Sequence, residues 1–346
     1  MHKPIPVILM NFSRFDANEP SQPRISVVIP TRNRADLLAR ALDAIKAQSF
    51  QAFEVVVIDD GSDVRTKSRY QEMWATLDHR FIFRSLGDDT MRGVGPSVTR
   101  NLGIAAARGD IIAFCDDDDF WTATDHLQSM SDVFAANSGV DMYIANQTGV
   151  SSKGMEITNW FPRLQVMSQT GSAVQNAPGL VTVDALCDSG SFAHLNILAL
   201  RKATILQAGG FWERVSYEED RDFYWRTLDC CNQVYFNPSI IGQHNIPDAK
   251  RADNQSTQHS VVERWLLAIL VCQHICSTVR QAPIADLARR YEGDILRRVA
   301  THFIQAGRSA VGLEFARRAL GARFSFKWSA YLTLLSFKAM QPKKAP

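Results

Sequence analysis

Four consecutive carboxylates, Asp116-Asp117-Asp118-Asp119, follow the apolar run Ile111-Ile112-Ala113-Phe114-Cys115 and precede Phe120-Trp121. Adjacent like charges at the end of a buried strand repel one another and cost stability unless something cationic neutralises them. A divalent metal answers that need. Carboxylate ligation suits hard Mg2+ or Mn2+, which is commonly held through one or two carboxylates plus the phosphates of a substrate. Standing alone, the run would read as a solvated acidic turn ahead of a helix beginning near Thr122. The buried-type strand before it and the aromatic pair after it favour a strand-end site.

Other polar groups occupy comparable positions. Asp59-Asp60-Gly61-Ser62 follows the apolar run Phe53–Ile58. By itself this is an Asp-Gly turn; at a strand tip its carboxylate can accept hydrogen bonds from a base imide or a ribose hydroxyl, with the glycine letting the backbone approach closely. Glu218-Glu219-Asp220 opens a helical pattern that carries Phe223, Trp225 and Leu228. An acidic first turn stabilises a helix by itself. Asp220, crowded by Glu218, Glu219 and Asp222, could also be raised towards the range of a general base. Arg100 would either reach a phosphate or hold a nearby carboxylate. His244, after Ser239-Ile240-Ile241, reads as a structural histidine or as a ligand.

The elements that must position these residues follow from periodicity. Ile25–Ile29 is dense in β-branched residues and stops at Pro30; Ala35–Gln48 repeats apolar residues at helical spacing through Leu38, Ala41, Leu42 and Ile45; Phe53–Ile58 is a second buried-type strand. That is a β-α-β unit with parallel strands. A helix near Lys67–Leu77, a strand at Arg80–Arg84, a helix at Val98–Arg108 and a strand at Ile111–Cys115 extend it. The fold class is therefore α/β, a doubly wound, mostly parallel, Rossmann-like sheet. Its ligands belong outside the carboxyl ends of the strands, where Pro30-Thr31-Arg32-Asn33, Asp59-Asp60 and the aspartate run all fall. Mixed short strands are expected over Val140–Ile246, and basic helices beyond Val261.

At this point a resemblance is visible. Ile25–Asn33, Val56–Asp63, Gly95–Gly103, Gly109–Trp121 and Gly209–Arg226 occur in the order seen in glycosyltransferase family two, and the chain resembles that inverting, GT-A-fold family from Arg24 to Ile246. The resemblance implies transfer of a sugar from a nucleoside-diphosphate donor, with a UDP-sugar favoured, to a hydroxyl of a glycan or lipid-linked acceptor in cell-surface polysaccharide or glycolipid synthesis. It places Pro30 and Asp60 at the nucleotide base, with Thr31, Arg32 and Arg100 on the donor side. Asp116 and Asp117 fall near ribose and diphosphate, Asp118 matches the metal ligand with Asp116 beside it, and His244 lies where a histidine can approach the metal. In the pair Glu219-Asp220, Asp220 matches the catalytic base. Arg32 stands where the family usually has tyrosine, and Cys115 where leucine is common.

Bulk properties bound the rest. The chain has 346 residues, 46% hydrophobic, with a formal net charge of +2, which gives nucleic acid no electrostatic handle. Six scattered cysteines suggest a reducing, cytoplasmic setting. The apolar start, broken by proline, is not expected to be a signal peptide, and no uninterrupted apolar stretch reaches spanning length. Expected boundaries are a poorly ordered leader at 1–23, a catalytic domain at 24–250 with nucleotide-binding and acceptor halves at 24–120 and 121–250, and a basic helical region at 261–346. Residues 281–346 hold 12 Lys/Arg against 4 Asp/Glu, among them Arg289, Arg290, Arg297, Arg298, Arg317 and Arg318, which suggests peripheral contact with the inner face of a membrane. Two other readings stand beside the enzyme: an inactive nucleotide-sugar-binding module, and a metal-dependent nucleotidyltransferase, for which the segment after Ile29 lacks the glycines.

Overall fold

The computed structural model describes residues 9–11, 23–87, 93–167, 173–175, 177–246 and 259–340. The chain forms two compact units, Met1–Ser216 with Cys230–Asp248, and Tyr217–Asp229 with Ala249–Pro346.

The first unit is built on one large sheet. It begins with β1 (Leu9–Asn11), β2 (Ile25–Thr31), α1 (Ala35–Lys46), β3 (Phe53–Asp59), α2 (Val64–Trp74), β4 (Phe81–Leu86), α3 (Pro96–Ala106) and β5 (Ile111–Phe114). Strand β2 pairs in parallel with β3 and β5, and β3 with β4. Ile25, Val27, Val28, Val55, Val56 and Val57 are fully buried, which is why these strands are continuously apolar rather than alternating. Helix α1 buries Leu38, Ala41, Leu42 and Ile45, the residues its spacing selected. Part of the leader is a strand, with Leu9 opposite Leu86 in an antiparallel edge pair; the remaining residues up to 22 lie outside the described residues.

The sheet continues with β6 (Phe120–Trp121), β7 (Val140–Ser151), β8 (Gly154–Ile157), β11 (Gly179–Val181), β12 (Leu198–Arg201) and β13 (Gln233–Asn245); β9 (Gln165–Met167) and β10 (Ala173–Gln175) form a separate hairpin. Beyond β5 the strand order is β12, β7, β13, β11. Strand β12 is antiparallel to both β5 and β7, while β13 is parallel to β7. The helix expected near Thr122 starts at His126 as α4 (His126–Ala136). Phe120 and Trp121 instead pair with Gln243 and Gly242 of β13, so the exit of the aspartate run is drawn into the sheet. Helices α5 (Val183–Asp188) and α6 (Lys202–Gln207) flank β12 in sequence.

The second unit is helical: α7 (Glu219–Asp229), α8 (Val261–Thr278), α9 (Ala282–Gln305), α10 (Ser309–Ala322) and α11 (Phe326–Met340). Its core is Ala268, Ile269, Ile295, Leu296, Val299 and Ala319, with Trp265, Tyr291, Phe303, Phe315 and Trp328 packed against it. Helix α8 opens on a capping box between Ser260 and Glu263. With a mean hydropathy of 1.3, α8 is long and apolar enough to cross a membrane by length and composition, although Glu263, Arg264, Gln273 and His274 interrupt its apolar run. It buries Val271, Cys272 and Ile275. The segment Tyr217–Asp229, which carries Asp220, groups with these C-terminal helices rather than with the aspartate run.

A Cβ on Gly103 of α3 would overlap the Val28 Cγ1 methyl of β2, so α3 sits close to the sheet only because this position has no side chain. Gly103→Val should lower the unfolding free energy by about 1–3 kcal/mol through overpacking, measured by urea denaturation. Unchanged stability would show that α3 can move away from the sheet freely.

Candidate functional site

The site in the first unit assembles at the carboxyl ends of β2, β3 and β5. Thr31, the last residue of β2, donates its hydroxyl to Asp117 Oδ2 at 2.8 Å and lies 3.0 Å from Tyr70 Oη. Arg34, just past β2, donates from Nη1 to Asp117 Oδ1 at 2.9 Å and Asp118 Oδ2 at 3.0 Å. Arg100 of α3 pairs with Asp116 Oδ1 at 2.7 Å. Arg100 thus holds a carboxylate, one of the two roles its place in the sequence suggested.

The four aspartates differ in exposure. Their side chains are 18% (Asp116), 6% (Asp117), 25% (Asp118) and 0% (Asp119) exposed, so Asp118 is the member most open to a ligand. Burial pushes Asp117 up to about 7 against the pull of Arg34, and Asp119 to about 6 against that of His244. Burial raises Asp118 as well. Asp116 is the exception: burial opposes its charge, but the Arg100 guanidinium holds it below the usual carboxylate range.

Asp119 is gripped by the antiparallel side of the sheet. Because Gly242 and Gln243 of β13 lie opposite Trp121 and Phe120 of β6, the next rung brings His244 to Asp119. His244 Nδ1 lies 2.9 Å from Oδ2, and the Asn245 backbone N–H donates to Oδ1 at 2.8 Å. The Asn245 side-chain amide also donates to the Asp118 carbonyl. Burial disfavours a charged His244, yet the Asp119 carboxylate outweighs it and raises the imidazole.

His194, which was not singled out in the sequence, joins this group. Its Nδ1 lies 3.6 Å from Asp119 Oδ2 and its Nε2 4.0 Å from Asp116 Oδ2, and its ring centroid is 4.1 Å from that of His244. Burial depresses it to about 3, so it is a neutral imidazole with a lone pair available. Its Nδ1 is buried without a hydrogen-bond partner. The ligand atoms of Asp119, His194 and His244 lie within 4.8 Å of one another. An orphaned imidazole nitrogen aimed at a carboxylate and a second imidazole is a donor set that a divalent cation fits. The ligands expected from sequence were Asp118, Asp116 and His244; the structure brings His244 to Asp119, while Asp116 and Asp118 engage Arg100 and Arg34.

Asp60, at the tip of β3, accepts the Val94 and Gly95 backbone N–H groups at 2.7 and 2.9 Å, capping the approach to α3. Burial raises it, opposed by these bonds and by Arg32. A Cβ on Gly93 would collide with both Arg32 and Asp60, so the glycine permits their close approach. Asp59 is fully internal, bonded to Ser62 and to Ser85 Oγ at 2.7 Å. Pro30 is the penultimate residue of β2. Asn101 anchors the Gly209–Phe211 turn, accepting the Phe211 N–H at 2.8 Å and donating to its carbonyl at 2.9 Å.

Glu219 and Asp220 belong to the second unit, in the half-buried first turn of α7. The Asp220 carboxylate accepts the Arg221 N–H at 2.8 Å.

Residues 26–181 match the sequence profile of glycosyl transferase family 2. A GalNAc(5)-diNAcBac-PP-undecaprenol beta-1,3-glucosyltransferase of Campylobacter jejuni is 37% identical over 97 residues, 28% of this chain and 30% of that protein; the chain thus aligns with under a third of its length. The crystal structure of S. aureus TarS 1-349 in complex with UDP-GlcNAc is similar with a TM-score of 0.63 at 16% identity, covering 91% of this chain and 87% of that one. The mannosyltransferase PcManGT from Pyrobaculum calidifontis, in complex with GDP-Man and Mn2+, aligns with a TM-score of 0.50 at 17% identity over 93% and 81% of the two chains. These likenesses establish the GT-A fold.

Asp117 is held against Arg34 with little water to screen the pair, so the two should be energetically coupled. In a double-mutant cycle by urea denaturation, Arg34→Met and Asp117→Asn should show an interaction of about 1–3 kcal/mol. Simple additivity would mean that the contact carries no net energy.

Proposed function

We propose that the chain, whose residues 26–181 match the profile of glycosyl transferase family 2, acts as a member of that family and moves a hexosyl group from a nucleoside-diphosphate sugar to an acceptor hydroxyl with inversion. The observation that carries the reading is the convergence of Thr31, Asp60 and Asp116–Asp119 at the carboxyl ends of three adjacent parallel strands, with the half-buried His194 and His244 beside the buried Asp119.

Pro30, Arg32 and Asp60 line the base and ribose end of the donor; Asp60 uses its two oxygens on backbone N–H groups and retains lone pairs for a base imide. Asp116 and Asp117, oriented by Arg100, Thr31 and Arg34, face the ribose and diphosphate. Asp118, Asp119, His194 and His244 would hold the divalent cation, and two imidazoles would favour Mn2+ over the strictly oxygen-seeking Mg2+. When bound, the cation neutralises charge on the departing nucleoside diphosphate. Asp220 takes the proton from the acceptor hydroxyl as that oxygen bonds to the anomeric carbon and the bond to the diphosphate breaks; Glu219 keeps that turn acidic. One base with no nucleophile gives a single, inverting displacement.

UDP is the favoured nucleotide, supported by the ligand of the S. aureus structure, and the Campylobacter relative supports a lipid-linked glycan acceptor. The test is a panel of UDP-, dTDP- and GDP-hexoses with Mn2+ or Mg2+, reading released nucleoside diphosphate. Release from a UDP-hexose in Mn2+, lost in excess chelator and in Asp118→Ala, is expected. Saturating Mn2+ should raise the Tm of the wild type and not that of His194→Ala. Asp220→Asn should lower kcat by about 10²–10⁴ with donor affinity little changed. Full activity in chelator would remove the metal, and an unchanged kcat in Asp220→Asn would remove the base.

A cytoplasmic location, peripheral at the inner membrane face, completes the reading. The scattered spacing of the six cysteines supports a reducing compartment, and the basic excess of residues 281–346 with exposed Phe324, Phe326 and Leu334 supports an anionic lipid surface. The protein should sediment with anionic liposomes at low salt and much less at high salt, since each basic group near such a surface contributes about 1 kcal/mol and is screened. Phe324→Ser with Phe326→Ser should weaken the binding. No sedimentation at any salt concentration would make the tail a packing element only.

A further inference from the structure

The first turn of α7 is tied down on both sides of Asp220 by side chains of the C-terminal helices. On the N-terminal side, Glu218 has a left-handed backbone with φ of +58°, a conformation that is strained for a non-glycine residue and persists only where its surroundings hold it. What holds it is visible: the Tyr291 hydroxyl of α9 donates to Glu218 Oε1 at 2.6 Å, and Arg221 Nε lies 3.2 Å from Oε2. The Arg221 guanidinium in turn lies 4.5 Å over the Tyr291 ring. The Glu218 carbonyl accepts the Asp222 N–H at 3.1 Å and starts the helix.

On the C-terminal side, Asp222 is fully buried. Its Oδ2 accepts from Arg226 Nε at 2.8 Å, and its Oδ1 accepts from His274 Nδ1 of α8 at 2.7 Å. The far end of α7 is fixed similarly, with the Arg280 and Gln281 backbone N–H groups donating to Asp229 Oδ1 at 2.9 and 2.8 Å. Residues two apart on a helix project about 200° from one another. Turning Asp222 inward onto α8 therefore turns Asp220 to the opposite side of the helix.

We propose that His274 and Tyr291 are positioning residues for the reaction, acting through Asp222 and Glu218 to fix the direction of the Asp220 carboxylate. The proposal rests on reading Asp220 as the general base. It assigns to α8 and α9 a part in turnover that does not depend on any membrane contact. A base displaced by about 1 Å can cost on the order of 10²-fold in rate, whereas donor binding, made by residues of the other unit, should be left alone.

The variants are Tyr291→Phe, which removes only a hydroxyl, His274→Leu, and His274→Asn, whose amide can still donate to Asp222. With whichever nucleotide sugar the panel shows to be turned over, Tyr291→Phe and His274→Leu should lower kcat by about 10- to 100-fold at unchanged donor KM. His274→Asn should recover most of the loss. In an Asp220→Asn background neither substitution should lower kcat further, because a residue acting through the base has nothing left to act on. Hydrogen exchange supplies a reading independent of substrate: amides of 221–223 should lose protection in both variants while those of α9 and α10 keep theirs. Losses that multiply onto Asp220→Asn, a kcat within twofold of wild type, or unchanged exchange at 221–223 would each overturn the proposal. An Asp220→Asn enzyme of full kcat would instead overturn the base assignment, whatever the other variants do.

Discussion

Four carboxylates in sequence at the end of a buried strand are an electrostatic problem, and much of the first unit is arranged around it. Their mutual repulsion in a poorly screened setting must be offset by positive charge, hydrogen bonds or protonation. The partners come from four places in the fold: Thr31 and Arg34 from the end of β2, Arg100 from α3, His194 from the approach to β12 and His244 from β13. Removing these elements would leave buried charge uncompensated. The same arrangement leaves Asp118 the most open member, so the rigidity of Asp116, Asp117 and Asp119 frames one carboxylate that faces outward.

The two halves of the sheet contribute different chemistry for a topological reason. In the parallel half, strand ends point the same way, so loops after β2, β3 and β5 collect at one edge and supply hydroxyls, carboxylates and guanidiniums. In the other half, β12 runs antiparallel to β5 and β13 pairs antiparallel with β6. The beginning of one strand and the end of another are thereby delivered to that same edge, and these bring the two imidazoles. A site of oxygen donors alone suits Mg2+; with the nitrogens that the antiparallel strands supply, the proposed cation would more readily be Mn2+.

The parallel half was legible because its signals are local. Continuous β-branched runs, the helical spacing of Leu38, Ala41, Leu42 and Ile45, and carboxylates directly after apolar runs are each contained within one short stretch of chain. The aspartate run and the Arg100 alternative could be named from sequence for that reason. His194 could not. It lies 75 residues from Asp119, and its place depends on β12 pairing antiparallel with β5, with Ala199 opposite Ala113, a register that no local pattern reveals. Asp119 was passed over because four identical residues offer no internal distinction; only the β6–β13 ladder selects the one that meets His244. The grouping of α7 with the C-terminal helices was hidden for a similar reason, since Glu218–Tyr291 and Asp222–His274 are contacts over 52 to 73 residues.

The basic C-terminal region is less free than its charge count suggests. Arg289, Arg297 and Arg317 each meet a carboxylate three residues earlier, Asp286, Asp294 and Glu314, at 2.7, 3.0 and 3.8 Å. Trp328, an aromatic suited by type to a lipid interface, donates its indole N–H to the Ala316 carbonyl at 3.0 Å and packs on the core of the unit. Partly exposed i,i+3 pairs contribute only about 0.3–0.5 kcal/mol each, so they order the side chains without removing the net positive charge. The exposed surface that the proposed lipid contact could use is then narrower than the sequence implied, namely the net positive charge together with exposed Phe324 and Phe326. The inner faces of α8 and α9 are committed to holding α7. The helical region divides by face: Tyr291 and His274 turn inward to α7, the apolar residues around Leu296 and Val299 form its core, and Phe324 and Phe326 are turned out.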